Sequence, residues 1–139
     1  MEYGFTGSSG GMTPIQLELV NRLYHELKLS TLHHGDCVGA DEQAHRLARH
    51  HKAYIVGHPP IDPKARAFCA CDKLWPEKAY LRRNVDVAKE GKDGLIATPA
   101  GLIEVLRGFD GGTWSTIRYA RKFGRHIWIV FPDGRIKVE

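Results

Sequence analysis

Short apolar runs and longer amphipathic stretches alternate along the chain, and the alternation predicts successive strands and helices. Residues 2–6 form a short run closed by glycine and read as a buried strand. After the loop Gly7-Ser8-Ser9-Gly10-Gly11, Thr13-Pro14 supplies an N-cap and a proline at the first helical position. Ile15, Leu19, Val20, Leu23 and Leu27 then recur at helical spacing, predicting a helix over about 13–29. Thr31-Leu32-His33-His34 reads as a second strand, 39–51 as a helix with Ala40, Ala44, Leu47 and Ala48 on one side, and Tyr54-Ile55-Val56 as a third strand.

The rhythm breaks over 57–78, where His58-Pro59-Pro60, Pro63 and Pro76 forbid regular structure over most of the segment. It resumes with a helix over about 79–90 and a fourth strand at Gly94-Leu95-Ile96-Ala97. Residues 99–112 read as a short helix followed by a glycine loop. A helix over 114–124 and a strand over 126–131 follow, then an Asp133-Gly134 turn and a short returning strand at Ile136-Lys137-Val138. This pattern predicts an α/β protein with a Rossmann-like, doubly wound, mainly parallel sheet of five strands in the order 3-2-1-4-5. A short C-terminal strand would be added to it, and residues 1–139 would form a single domain.

Composition narrows the class. Hydrophobic residues at 42% and charged residues at 26% suit an ordinary globular domain, and no apolar run approaches the ~20 residues of a membrane span. The stretch after Met1 has neither a basic nor an apolar leader segment, and three cysteines do not make a disulfide framework, so a cytoplasmic setting is expected. A formal charge of +4 suits anionic ligands, although no run of five or six bases marks a nucleic-acid tail.

Two loops share one chemical character. Gly7 to Thr13 follows the first strand and Gly111-Gly112-Thr113-Trp114-Ser115-Thr116 the fourth, and each opens a helix. Glycine allows close backbone approach, a helix N-terminus offers unpaired N–H groups, and Ser8, Ser9, Thr113, Ser115 and Thr116 add hydroxyls suited to phosphate oxygens. In the order 3-2-1-4-5 both loops converge on the switch-point crevice; alternatively each is a tight strand-to-helix turn. The segment Gly35-Asp36-Cys37-Val38-Gly39-Ala40-Asp41 would lie beside them, with Asp36 on ribose hydroxyls or capping a helix and Asp41 capping.

Arg83 and Asn84, with Arg82, open a helix and form the best clamp for a charged ligand, whereas Arg118 and Arg121 read as a solvated helix face. Trp114 would stack on a base or fill the core, with packing favoured. His33, His34, Cys37, His58, Cys69 and Cys71 could ligate a metal, but Cys-x-Cys without a second pair is not a zinc-knuckle spacing, and no metal or other cofactor is assigned. His33 and His34, being consecutive on a strand, should point to opposite faces.

The set Gly-Asp-x-x-Gly-Ala-Asp at 35–41, Leu81-Arg82-Arg83-Asn84, and Gly112-Thr113-Trp114-Ser115-Thr116-Ile117-Arg118-Tyr119-Ala120 resembles the SLOG superfamily. That group includes the lonely-guy phosphoribohydrolases and DNA-processing protein A, and the likeness is greatest to its small bacterial and phage members. The resemblance implies a Rossmann-like fold with ligand phosphate on the second glycine loop, often in a homodimer. Lonely-guy enzymes carry a glutamate shortly after that loop, paired with an arginine, for N-glycosidic cleavage. Here the matching stretch Ser115-Thr116-Ile117-Arg118 holds no acid. Asp36, Asp110 and Glu104 are possible substitutes, and Asp36 and Arg83 are the catalytic candidates. The leading expectation is therefore a protein that binds a nucleotide or a nucleotide-derived phosphorylated ligand. Hydrolysis of nucleoside monophosphates and binding of single-stranded DNA are the alternatives.

Overall fold

A computed structural model describes all 139 residues. Seven strands and four helices follow in the order β1 (Glu2–Gly7), α1 (Pro14–Glu26), β2 (Thr31–His34), α2 (Ala40–His50), β3 (Tyr54–Gly57), β4 (Lys73–Leu74), α3 (Tyr80–Glu90), β5 (Gly94–Thr98), α4 (Gly111–Lys122), β6 (Ile127–Val130) and β7 (Ile136–Val138). They form one sheet ordered β4-β3-β2-β1-β5-β6-β7. The five inner strands take the expected 3-2-1-4-5 arrangement, all parallel, and β7 returns antiparallel to β6.

The sheet has seven strands rather than five. The unforeseen strand is β4, two exposed residues added in parallel to Val56 and Gly57. Lys73-Leu74 carries no apolar alternation, so only its neighbours make it a strand. The Asp72 carboxylate receives the Ile55 N–H at 2.8 Å and Arg49 Nη1 at 2.7 Å, which pins the segment to the edge of β3.

Alternation along the strands separates two apolar layers. Tyr3, Phe5, Ile96 and Val130 join α1 and α2 through Val20, Leu23, Tyr24 and the Ala40-Ala44-Ala48 stripe. Leu95, Ala97, Ile127 and Ile129 pack instead with Val87 and Ala88 of α3 and Trp114, Ile117 and Ala120 of α4. Gly4 lies under α3, where a Cβ would stand 2.7 Å from the Val87 carbonyl oxygen. Glycine on the central strand thus lets α3 lie close to the sheet.

At the start of α1, Thr13 accepts the Gln16 N–H and Gln16 returns a hydrogen bond to the Thr13 N–H, forming a capping box. The buried Gln16 amide also donates to the Pro99 and Val130 carbonyls, at 2.9 and 2.8 Å. The short helix expected within 99–112 is absent. Both carboxylate oxygens of Asp110 instead take the Ala100 N–H and one also takes that of Gly101, so the segment closes as a loop, and α4 begins at Gly111 rather than 114. No helix is long and apolar enough to cross a membrane.

Candidate functional site

A cavity of about 250 Å³ opens at the C-terminal ends of the central strands, where β1 is flanked by β2 and β5. Its wall combines Gly7 and Ser9 after β1, Gly35, Cys37 and Asp41 after β2, Tyr80, Arg83 and Asn84 of α3, and Gly112, Thr113 and Thr116 of α4.

The two glycine loops differ in what they offer. On the α4 side, Asp110 has turned its carboxylate back onto Ala100 and Gly101, leaving the helix without a side-chain cap. The Gly112 and Thr113 N–H groups find no acceptor in the protein, and both residues line the cavity. Two unpaired donors at the positive end of a helix therefore belong to residues of the cavity wall. On the β1 side the capping box has already closed α1, and the Met12 N–H is taken by Gln43 at 2.7 Å.

Ser8 is buried: its carbonyl accepts from Gly11 and Ala40, and its hydroxyl accepts from Gly10. Ser8, Gly10 and Gly11 thus lie off the cavity wall, correcting the expectation of a continuous phosphate cradle from Gly7 to Gly11. The loop's main work is to seat the start of α2. At Gly39, φ is +94° and a Cβ would lie 2.8 Å from the Ser8 carbonyl oxygen, so glycine is required on both counts.

Arg83 is 5% exposed and lies in the cavity wall. Its Nη1 donates to the Gly35 carbonyl at 2.6 Å and reaches Cys37 Sγ at 3.0 Å, while Nε donates to Asn84 Oδ1 at 3.1 Å. No carboxylate comes within 4.0 Å of it. Asn84 is buried beside it, and its Nδ2 has no acceptor in the protein. A buried cation with no carboxylate in direct contact and an amide donor without an acceptor both favour an anionic occupant.

Asp41 is the only carboxylate on the cavity wall. It is 6% exposed and accepts the Cys37 N–H at 3.2 Å. Burial pushes its carboxyl up to about 6, against the opposing pull of Arg83. Asp36, expected on ribose or in catalysis, does not reach the cavity. It is fully buried at φ +52°, accepting from Arg66 Nε at 2.9 Å and from the Cys69 N–H at 2.8 Å. Its carboxylate ties the proline-rich segment to the end of β2.

The other candidates disperse. Trp114 is in the α3–α4 core near Phe131, and neither it, Gly111 nor Ser115 lines the cavity. Gly112 does line it, yet the space its missing Cβ leaves is filled by the Tyr80 hydroxyl, so close helix packing is what demands glycine there. The Thr116 hydroxyl bonds back to the Gly112 carbonyl at 3.0 Å. Asp110 is the loop clamp, while Glu104 pairs with Arg118 and Arg121 outside the cavity.

His33 and His34 do diverge. His33 bridges Glu2 at 2.6 Å and His58 at 2.9 Å. His34 Nε2 meets His45 Nδ1 at 3.0 Å, within a group that brings Cys69 Sγ within 4.8 Å. The Asp36 N–H donates to His34 Nδ1 at 2.9 Å, which fixes the ring proton on Nε2 and directs it at His45. Burial, followed by the neighbouring His45, pushes His34 down to about 3, so this chain of imidazoles is neutral and hydrogen-bonded. It leaves His34 no lone pair for a metal ion.

The cavity residues that sequence reasoning did not assign to ligand binding include Phe109, Asp41 and Tyr80. Helical spacing could have found the last, since 80, 83, 84 and 87 share one face of α3, and all four line the cavity. Asp41 carried no such signal.

Two solved structures share this fold. The molybdenum cofactor binding protein from the phototrophic bacterium Rippkaea orientalis superposes with a TM-score of 0.70 at 23% identity, over 93% of this chain and 75% of that one. TM1055, a structural genomics target, superposes with a TM-score of 0.64 at 19% identity, over 91% and 72%. No family model and no curated protein matches the sequence. At these identities the likeness establishes the Rossmann-like α/β fold.

Proposed function

We propose that this chain is a SLOG-type domain that binds a nucleotide or nucleotide-derived phosphorylated ligand in the crevice between β1 and β5. The carrying observation is Arg83, a cation buried in the cavity wall with no carboxylate within 4.0 Å. A ligand phosphate would pair directly with the guanidinium, and the free Gly112 and Thr113 N–H groups and Asn84 Nδ2 would complete its hydrogen bonds. A fold neighbour described as a cofactor-binding protein agrees with a small-molecule role for such a crevice. The test is a thermal-shift panel of nucleoside mono-, di- and triphosphates. At least one should raise the melting temperature by mass action, and Arg83→Gln should remove that shift. If no phosphorylated compound stabilises the wild type, the reading fails.

A second reading rests on Asp41. An N-glycosidic hydrolase needs an acid to protonate the departing base, and Asp41 places one carboxyl inside the cavity, on the same wall as Arg83. In that reaction water adds to the anomeric carbon as the C–N bond breaks. The Asp41 proton goes to the base, and the proton released by water restores the carboxyl. Incubation with nucleoside monophosphates should then liberate free base, and Asp41→Asn should stop it while ligand binding persists.

A further inference from the structure

The cavity is polar at its base and apolar at its mouth. Arg83, Asn84 and Asp41 are buried in its wall, whereas Phe109, Tyr80 and Val38 line the same cavity at 70%, 51% and 40% exposure. Phe109 is the most exposed of these, and neither apolar layer of the core includes it.

Its position is nevertheless well determined. Phe109 directly precedes Asp110, whose carboxylate holds the Ala100 and Gly101 N–H groups, so the backbone at this point is anchored. Its ring extends across the mouth from the α4 side to the first glycine loop. A Cβ at Gly10 would lie 3.1 Å from the Phe109 Cζ atom, which gives that glycine a function the phosphate reading did not. The aromatic ring thus reaches from one loop to the other at a cavity whose wall also holds Arg83.

We propose that Phe109 is the platform on which the ligand's heteroaromatic base stacks, so that the site selects nucleotides over ribose phosphates and inorganic phosphate. This rests on the binding function proposed above and adds the identity of the ligand's outer half. An anion drawn down to Arg83 leaves the far end of a nucleotide at the rim, where an exposed ring offers a face to any base. Stacking of this kind contributes about 1–3 kcal/mol per base, or roughly 5- to 150-fold in affinity, and is tolerant of base identity.

The test uses the intact chain and calorimetric titration with three classes of probe: inorganic phosphate, ribose 5-phosphate and the four ribonucleoside 5′-monophosphates. The wild type should bind at least one monophosphate roughly 5- to 150-fold more tightly than ribose 5-phosphate. Phe109→Ala, at an exposed position that should not disturb folding, should erase this preference by weakening the monophosphate alone, and Phe109→Trp should restore it. The proposal is overturned if ribose 5-phosphate binds as tightly as every monophosphate, or if Phe109→Ala weakens both equally or neither. Arg83-dependent binding of ribose 5-phosphate without a base preference would sink the stacking role and leave the phosphate site standing. If no probe binds at all, both fall.

Discussion

Arg83 Nη1 donates to the carbonyl oxygen of Gly35 at 2.6 Å, and the guanidinium fills the space a side chain at Gly35 would need. Any Cβ at Gly35 would collide with Nη1 and stand 2.9 Å from Asp41 Oδ2. One missing side chain after β2 therefore allows the cavity's only arginine and only carboxylate to sit together in its wall.

Gly35→Ala should displace Arg83 and abolish ligand-dependent stabilisation. Overpacking of this kind destabilises by about 1–3 kcal/mol, so the variant should remain folded enough to assay. A Gly35→Ala protein that binds phosphorylated ligands normally would contradict the role given to Arg83.

Arg83→Met removes a buried charge that has no carboxylate within 4.0 Å. Because the buried guanidinium is held by hydrogen bonds to the Gly35 carbonyl and Asn84, unfolding free energy without ligand should fall by about 1–3 kcal/mol. The ligand-induced shift should disappear. Urea titrations with and without ligand would separate the two effects.

Anion affinity should rise as pH falls through about 6, where Asp41 becomes neutral and stops opposing a bound phosphate. The raised carboxyl also means that the native state holds a proton the unfolded state has lost between the ordinary aspartate value and about 6. Asp41 therefore weakens the fold as pH rises through that window. Asp41→Asn should flatten the affinity profile and be the more stable protein at pH 8. It should also make stability fall more steeply below about pH 6, because the buried histidines then act unopposed; a wild-type-like pH profile in this variant would refute the assignment.

His34 and His58 are each pushed down to about 3, chiefly by burial. Unfolding lets both rings return to the ordinary histidine range and take up protons. Their contribution to stability is complete above about pH 6.5 and is lost as pH falls from there toward 3, with a total on the order of several kcal/mol. Chemical denaturation at pH 7 and pH 5 should show the decline, and His58→Gln should lessen it. A stability that stays flat between those values in the Asp41→Asn protein would mean the rings titrate normally.

Asp36→Ala should free the proline-rich segment that its carboxylate ties down through Arg66 and Cys69. Leaving Arg66 with only Glu77, at 3.7 Å, and the Cys69 N–H without an acceptor should destabilise by about 1–3 kcal/mol. Limited proteolysis should cut first between residues 61 and 72, and ligand binding should survive when the protein is kept folded. Cleavage elsewhere would show that Asp36 is not the anchor.

The inner sheet was legible because a parallel strand buried on both faces must be apolar, and its crossover helix must show one apolar stripe. Glu2–Gly7, Tyr54–Gly57 and Gly94–Thr98 satisfy the first condition, and α1 and α2 the second. Lys73–Leu74 was invisible because an edge strand of two residues is defined by its partner's hydrogen bonds. The helix foreseen within 99–112 failed because Asp110 folds back on Ala100 and Gly101, a choice made by side-chain geometry and not by periodicity.

What the sequence determined by itself is the α/β rhythm, the order of the inner strands, and hence the place where two glycine-rich loops approach one another. Hydrophobic burial follows residue pattern alone, so it can be read without coordinates. Only the tertiary structure decided which N–H groups stay without acceptors and which acid lines the cavity. The capping box closes α1 while α4 stays open, and Asp36 turns to Arg66 while Asp41 turns to the cavity. Hydrogen bonds and charges are directional and short in range. Their partners come from elements far apart in the chain, and only the assembled fold brings them within reach.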